Sequence, residues 1–358
     1  MKATKKLLFI DTSLGGHHQT YLRGLIRAFD GVKLICGPSG GETLFEGIER
    51  YYPIPAPGKS WYLYLRMMVS LIRICVREKP DIVHFVYGDA LYRFAGLGFG
   101  LLRGKKIITC HQFLHRSKPA LAIYRRFARA SARIVVHTAL IADEAKGFGI
   151  SNVTHVEYPQ FNLCSAMRRE DARRKIGFPQ DDVRVILALG GTRYHKGLDL
   201  LLEALKQVKA PFYLLIAGKP EYFQEDYIQE ACKAYKECVF LKLAFLSEEE
   251  VDECIQACDI VCLPYRKDLN RASGPLGEGV YRGKMIVGPA HGSIGQTIRE
   301  YHLGLTFEAE NIANLAETLE QALTSAWKPD EKYREYQELL NPKRFEAEYA
   351  ALYQSVVH

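Results

Sequence analysis

Val183-Arg-Val-Ile-Leu-Ala-Leu189 is followed by Gly190-Gly-Thr-Arg-Tyr-His-Lys-Gly197 and then by Leu198-Asp-Leu-Leu-Leu-Glu-Ala-Leu205. The first seven residues are an apolar, partly β-branched run of strand length. Leu198, Leu201, Leu202 and Leu205 recur at helical spacing, which predicts a helix starting near Gly197. Between the two lies a loop with two glycines, Gly190 and Gly191, and two cations, Arg193 and Lys196. Glycine lets a backbone turn tightly and approach a ligand. A helix N-terminus adds unpaired N–H groups and the positive end of its dipole. Taken alone, the loop reads equally as a diphosphate seat or as a strand-to-helix turn with solvated cations. It is not a P-loop, because Lys196 precedes Gly197 and Leu198 follows it. Nor does Gly190-Gly191-Thr192-Arg193-Tyr194-His195 supply the G-x-G-x-x-G of a dinucleotide fingerprint.

The same alternation extends outward in both directions. Strands are predicted at 7–11, 32–36, 82–86, 106–110, 134–137 and 153–156, with helices near 18–29, 61–78, 91–102, 120–130 and 140–148. Residues 157–164 hold a proline and no periodicity, and the domain boundary is expected there. Beyond it, strands at 183–189, 212–217, 239–241, 260–263, 285–287 and 305–307 alternate with helices near 197–208, 222–235, 248–257, 275–282, 295–301 and 312–325. Helices at 331–340 and 343–357 close the chain. This order predicts an α/β protein of two doubly wound parallel sheets, with ligands at the carboxyl ends of the strands. The domains expected are 1–160 and 161–340.

At 358 residues the chain is long enough for two such domains, each with its own core. No leader peptide and no run of eighteen apolar residues is visible, so a cytoplasmic protein is expected. Nine scattered cysteines suit reduced thiols better than a disulfide framework. Cys254, Cys258 and Cys262 are evenly spaced, but Cys262 falls on a predicted strand and no C-x-x-C pair exists, so a zinc site is not expected. Charge is uneven: residues 1–160 hold 23 Lys and Arg against 11 Asp and Glu, whereas the remainder holds 25 against 30. The first half therefore suits an anionic partner.

A second informative stretch runs from Asp259. Asp-Ile-Val-Cys-Leu-Pro-Tyr265 is a strand, and Asn270-Arg-Ala-Ser-Gly-Pro-Leu-Gly-Glu-Gly279 opens a helix with Pro275 in its first turn. Glu278, expected on that first turn, suits two ribose hydroxyls; a helix-start glutamate near the dipole is the plainer alternative. His291-Gly292-Ser293-Ile294-Gly295 is another glycine-rich approach to a helix.

The order of these motifs resembles glycosyltransferase family 4: strand, glycine loop, Lys196-Gly197, helix, a strand ending Leu-Pro-Tyr265, Glu278, then a glycine-rich loop. Phe245-Leu-Ser-Glu-Glu-Glu-Val251 resembles that family's segment beside the nucleotide base. Leu14-Gly15-Gly16-His17-His18 resembles its glycine loop after the first strand, Asp81-Ile-Val-His84 its Pro-Asp-x-x-His strand, and Thr109-Cys-His111-Gln112 the strand end whose histidine points at the transferred sugar. The resemblance covers nearly the whole chain. It implies a GT-B fold, two Rossmann-like domains facing across a cleft, with 341–358 crossing back to the first domain.

The activity it implies is retaining, metal-independent transfer of a sugar from a UDP- or GDP-type donor to a glycan, lipid-linked or small-molecule acceptor. Charge on the leaving diphosphate is what such a site must stabilise. The residues implied are His111, Arg193, Lys196 and Glu278 for catalysis. For the donor they are Gly15, Gly16, Gly190, Gly191, Asn270, Glu278, Gly292, Ser293 and Ile294, and for the acceptor His17 and His18. No cofactor, metal or nucleic acid is implied, the nucleotide sugar being substrate. One departure is Asn270, where the family's E-x7-E pair has its first glutamate; an amide still bonds a hydroxyl. A catalytically weak or non-enzymatic sugar-nucleotide-binding subunit, and a GT-B epimerase or hydrolase, remain as alternatives.

Arg116, Lys118, Arg125, Arg126, Arg129 and Arg133, with Tyr124 and Phe127 among them, form a basic face. Arg93, Arg103, Lys105 and Lys106 add to it beside Phe94, Leu97, Phe99, Leu101 and Leu102. A solvated helix side is the common reading of such a face; an anionic membrane surface, bearing a lipid-linked acceptor, is the partner expected here.

Overall fold

The computed structural model describes residues 4–15, 17–111, 118–162, 164–269 and 273–357, and of His17 and Asp89 the backbone only. The chain divides into two compact units, Met1–Phe161 with Asn341–His358, and Asn162–Leu340.

The first unit carries β1 (Lys6–Ile10), β2 (Val32–Gly37), β3 (Arg50–Pro53), β4 (Ile82–Phe85), β5 (Lys105–Cys110), β6 (Arg133–Val136) and β7 (Val153–His155). Between them run α1 (His17–Arg27), α2 (Trp61–Glu78), α3 (Asp89–Tyr92), α4 (Lys118–Ala130) and α5 (Ala139–Gly147). The second unit carries β8 (Arg184–Leu189), β9 (Phe212–Ala217), β10 (Val239–Lys242), β11 (Ile260–Cys262), β12 (Met285–Pro289) and β13 (Gly304–Phe307). Its helices are α6 (Arg169–Ile176), α7 (Leu198–Leu205), α8 (Glu225–Ala231), α9 (Glu248–Ala257), α10 (Gly274–Tyr281), α11 (Gly292–Glu300), α12 (Ile312–Thr324) and α13 (Glu331–Leu339). The last helix, α14 (Pro342–Val357), belongs to the first unit again.

Both sheets are parallel throughout, in the orders β3-β2-β1-β4-β5-β6-β7 and β10-β9-β8-β11-β12-β13. Helices on both faces explain why Leu7, Leu8, Phe9 and Ile10 are all fully buried and why the strands read as unbroken apolar runs. In each order the direction of winding reverses once, between β1 and β4 and between β8 and β11. The crevice at such a reversal, at the carboxyl ends of the strands, is where a doubly wound sheet takes its ligand.

The expected pair of doubly wound sheets is present, and the differences are local. The edge strand β3 and the helix α6 were not predicted. The helix expected over 91–102 is only α3 and a 3-10 turn, Phe99–Leu101. Ala95, Gly96 and Gly98 between them have φ of 52°, 62° and 82°, a left-handed backbone that ends a helix. The helix expected over 222–235 stops at Ala231 and continues as 3-10 turns through Cys238.

The helix α14 is tied to the first sheet by one buried chain of hydrogen bonds. His137 Nδ1 donates to the Val156 carbonyl at 2.8 Å, which leaves Nε2 to accept from the Tyr21 hydroxyl at 3.2 Å. Tyr349 then donates to Tyr21 (2.7 Å), Thr109 to Tyr349 (3.2 Å), His84 Nε2 to Thr109 (2.8 Å) and Tyr353 to His84 Nδ1 (2.8 Å). The direction is set by the carbonyl, which only accepts, and it needs both histidines neutral. Burial supplies that, pushing His84 down to about 3 and His137 to about 4.

Candidate active site

In the second unit the loop after β8 is built as the sequence suggests, with one addition. A 3-10 turn, Tyr194–Lys196, precedes Gly197, whose φ of 64° admits the chain to α7. Gly190 (φ 103°) donates to Ala217 O at 2.7 Å, and Gly218 (φ 142°) passes so close that a Cβ on it would lie 2.5 Å from the Gly190 carbonyl. The Lys196 side chain folds back over Gly190, its Nζ 3.4 Å from Leu189 O and 6.0 Å from the centre of the Tyr265 ring. Lys196 thus lies at the reversal point, between the ends of β8 and β11.

Arg193 stands differently. Its guanidinium grips Glu221 with both Nε (2.6 Å) and Nη2 (3.2 Å), and holds that carboxyl below the usual carboxylate range. The two cations expected in the loop therefore include one already paired to a carboxylate. A residue absent from the expectation braces the loop: Arg266, buried, donates from Nε to Tyr194 O (3.1 Å) and pairs with Asp199 in the first turn of α7. Its guanidinium stacks 4.0 Å over the Tyr194 ring. The only signal for it in the sequence was a cation two residues beyond Leu-Pro.

Glu278 is the fifth residue of α10 and so stands in the second turn, not the first. It is buried, and its carboxylate accepts from Arg282 Nη1 at 2.6 Å and from Asn162. Arg282 also donates to Asp252 on α9 at 2.6 Å. One guanidinium serves two carboxylates, so the cluster suits hydroxyl donors rather than anions. Asn270, the departure from the family pattern, lies outside the described residues.

One strand further along, β12 leads into α11. Gly292 has a φ of 65°, Ser293 and Ile294 are buried, and their backbone N–H groups open the helix. His291 is its N-cap residue, and both its ring nitrogens are buried without a hydrogen-bond partner among the described residues. β8 and β12 are separated by β11 alone, about 10 Å. Among the described residues no group of three or more His, Cys, Asp or Glu is arranged to hold a metal ion.

In the first unit the carboxyl ends of β1, β4 and β5 bring three rings into a stack. His18 lies 3.7 Å from the Tyr87 ring and His111 3.8 Å from it. His111 Nε2 donates to Val86 O at 3.1 Å. His18 Nδ1 donates to both oxygens of Asp11, at 2.9 and 3.1 Å, and Asp11 is fully buried. Gly15 starts the turn that carries His18, accepting from its N–H at 3.3 Å. Gly16 lies outside the described residues, and so does the His17 side chain. Asp11 and Tyr87 were not singled out in the sequence; a lone carboxylate ending a buried apolar strand is the signal for Asp11.

The basic face is not as expected. Arg125, Arg126 and Arg129 are exposed on α4, but Tyr124 and Phe127 point into the core, as do Phe94, Phe99 and Leu102. The period of α4 turns its aromatics away from its arginines. Arg116 lies outside the described residues.

Residues 168–339 match the family profile described as glycosyl transferases group 1, and residues 17–159 that of Glycosyltransferase Family 4. Against curated protein sequences the chain finds no match. Solved structures of the same fold include HepE of Anabaena in complex with UDP and glucose, at 15% identity and TM-score 0.73, covering 98% of this chain and 100% of that one. A sucrose-phosphate synthase of Thermosynechococcus elongatus matches at 15% identity and TM-score 0.75, covering 98% of each chain. A glycosyltransferase of Rickettsia africae matches at 16% and 0.75, covering 99% of each.

Proposed function

The chain belongs to glycosyltransferase family 4, and from that premise we propose that it transfers a sugar, with retention and without a metal, from a UDP- or GDP-type sugar to a glycan, lipid-linked or small-molecule acceptor. The observation that carries this reading is the Lys196 ammonium folded over Gly190 where the second sheet reverses. Departure of a nucleoside diphosphate leaves negative charge, and a fixed ammonium with helix N–H groups stabilises it without reorganisation. Lys196, with the opening of α11, takes the diphosphate. Arg193 shares its charge with Glu221 and contributes less. Glu278 and its neighbours receive the ribose hydroxyls. Gly15 and Gly16 are assigned to the donor, His111 to the transferred sugar, and His17 and His18 to the acceptor. UDP bound in the Anabaena protein supports a uridine donor first among the candidates. The acceptor is met at the cytoplasmic face of an anionic membrane.

A panel of UDP-, GDP-, ADP- and dTDP-sugars, with and without acceptor, tests the reading. Transfer with the anomeric configuration kept is expected. Acceptor-independent turnover points to an epimerase or hydrolase, and binding without turnover to a non-enzymatic subunit; either overturns it.

A further inference from the structure

Seven of the eleven large apolar side chains exposed among the described residues fall in two short segments of the first unit. Trp61, Tyr62, Leu65, Val69 and Val76 lie on α2, each between 46% and 67% exposed; Leu97 and Leu101 follow α3. At about 100° per residue the five on α2 occupy one arc of roughly 100°, and Arg66, Arg73 and Arg77 the next 60° or so. The buried residues, Tyr64 to Cys75, take the opposite side. The two segments are packed together: Trp61 meets Phe94 edge-on at 4.9 Å, and the Tyr64 hydroxyl donates to Leu97 O at 2.6 Å. Residues 59–77 and 91–106 contain eight Lys and Arg and no Asp or Glu. Of these, Lys59, Arg66, Arg73, Arg93, Arg103 and Lys105 are exposed, while Arg77 is tied to Glu78.

We propose that this face of α2 and the 93–101 segment docks on an anionic lipid bilayer, α2 lying along the interface with its apolar arc among the acyl chains and its arginines at the headgroups. The arrangement has what interfacial helices use: an apolar stripe too narrow to span, cations flanking it, and Trp and Tyr at one end. A second copy of the chain fits worse, because neither segment offers an Asp or Glu to meet the other copy's cations. The face expected on α4 lacks exposed aromatics, so α2 takes its place. The proposal deepens, and for its biological sense rests on, the reading of an acceptor met at a membrane.

The test is co-sedimentation of the full chain with vesicles of mixed phosphatidylglycerol and phosphatidylcholine, against phosphatidylcholine alone, at rising salt. Binding to the anionic vesicles only, lost as salt rises, is expected. The chain has two tryptophans, so a blue shift of emission that disappears in Trp61→Phe identifies the inserted ring. Leu65→Asn with Val69→Asn should abolish binding, and each of Arg66→Gln and Arg73→Gln should weaken it about fivefold. These side chains are exposed, so the fold is kept, and an unchanged melting temperature verifies it. Equal recovery on neutral and anionic vesicles overturns the proposal. So does loss of binding in Arg125→Gln with Arg129→Gln but not in the α2 variants, or self-association through Leu65 without lipid binding. Thermal shift with UDP, GDP, ADP and dTDP and their sugars reports separately: a parent chain that binds vesicles but none of these sinks the donor reading and leaves the docking face standing.

Discussion

Lys196 and Arg193 stand three residues apart on one loop, and the structure gives them different surroundings. Arg193 is half exposed and already bidentate to Glu221, whereas Lys196 reaches across a glycine whose missing side chain makes the room. Lys196→Ala should therefore lower kcat/KM by about a hundredfold or more, the scale of one lost transition-state donor, with the melting temperature nearly unchanged. Arg193→Ala should cost about tenfold at most. Steady-state kinetics on both variants check the ranking, and equal losses would refute it. In the first unit Asp11 fixes the His18 tautomer, with the proton on Nδ1. Asp11→Asn should lower kcat at least about tenfold with the donor KM unchanged, if His18 handles an acceptor proton. A change confined to KM would assign the pair to binding alone. Lys196 was legible from spacing. Asp11 and Arg266 were not, because a single charged residue at a strand end has the same sequence signature whether it meets solvent or a partner far along the chain.

Among the elements, α14 is held by side chains as much as by packing. Tyr349 donates to Tyr21 and accepts from Thr109, all three buried. Tyr349→Phe leaves one buried acceptor without a donor and one buried hydroxyl without an acceptor, and should destabilise the protein by about 1–3 kcal/mol. Denaturant unfolding measures it; a change near zero would mean the chain of bonds re-forms around the gap. Every strand but β3, and most helices, could be read from apolar runs and helical spacing. The 91–102 segment could not, since its apolar content fits a helix and only the left-handed turn at Ala95 to Gly98 ends it. On α2 helical spacing marks a helix but not its covered side; which side of an apolar helix is covered depends on what packs against it.

For the molecule as a whole, the two neutral histidines set a pH dependence. The folded protein keeps His84 and His137 unprotonated down to about 3 and 4, while the unfolded chain protonates them near 6.5. Protons then favour the unfolded state, so this contribution is complete above about pH 6.5 and is lost as pH falls. The slope is about 1.4 kcal/mol per pH unit for each histidine. Melting temperature followed from neutral pH down to about pH 4.5 should drop steadily; a flat profile would mean that the histidines titrate normally in the fold. The sequence by itself determined two parallel α/β units, the order along the chain of every strand but β3, and the loop holding Lys196, because periodicity and glycine placement are local properties of a polypeptide. Tertiary structure decided which cation is paired to Glu221, that Glu278 shares Arg282 with Asp252, and which apolar faces remain exposed. Those outcomes depend on groups brought together from distant parts of the chain, and no local pattern encodes their meeting.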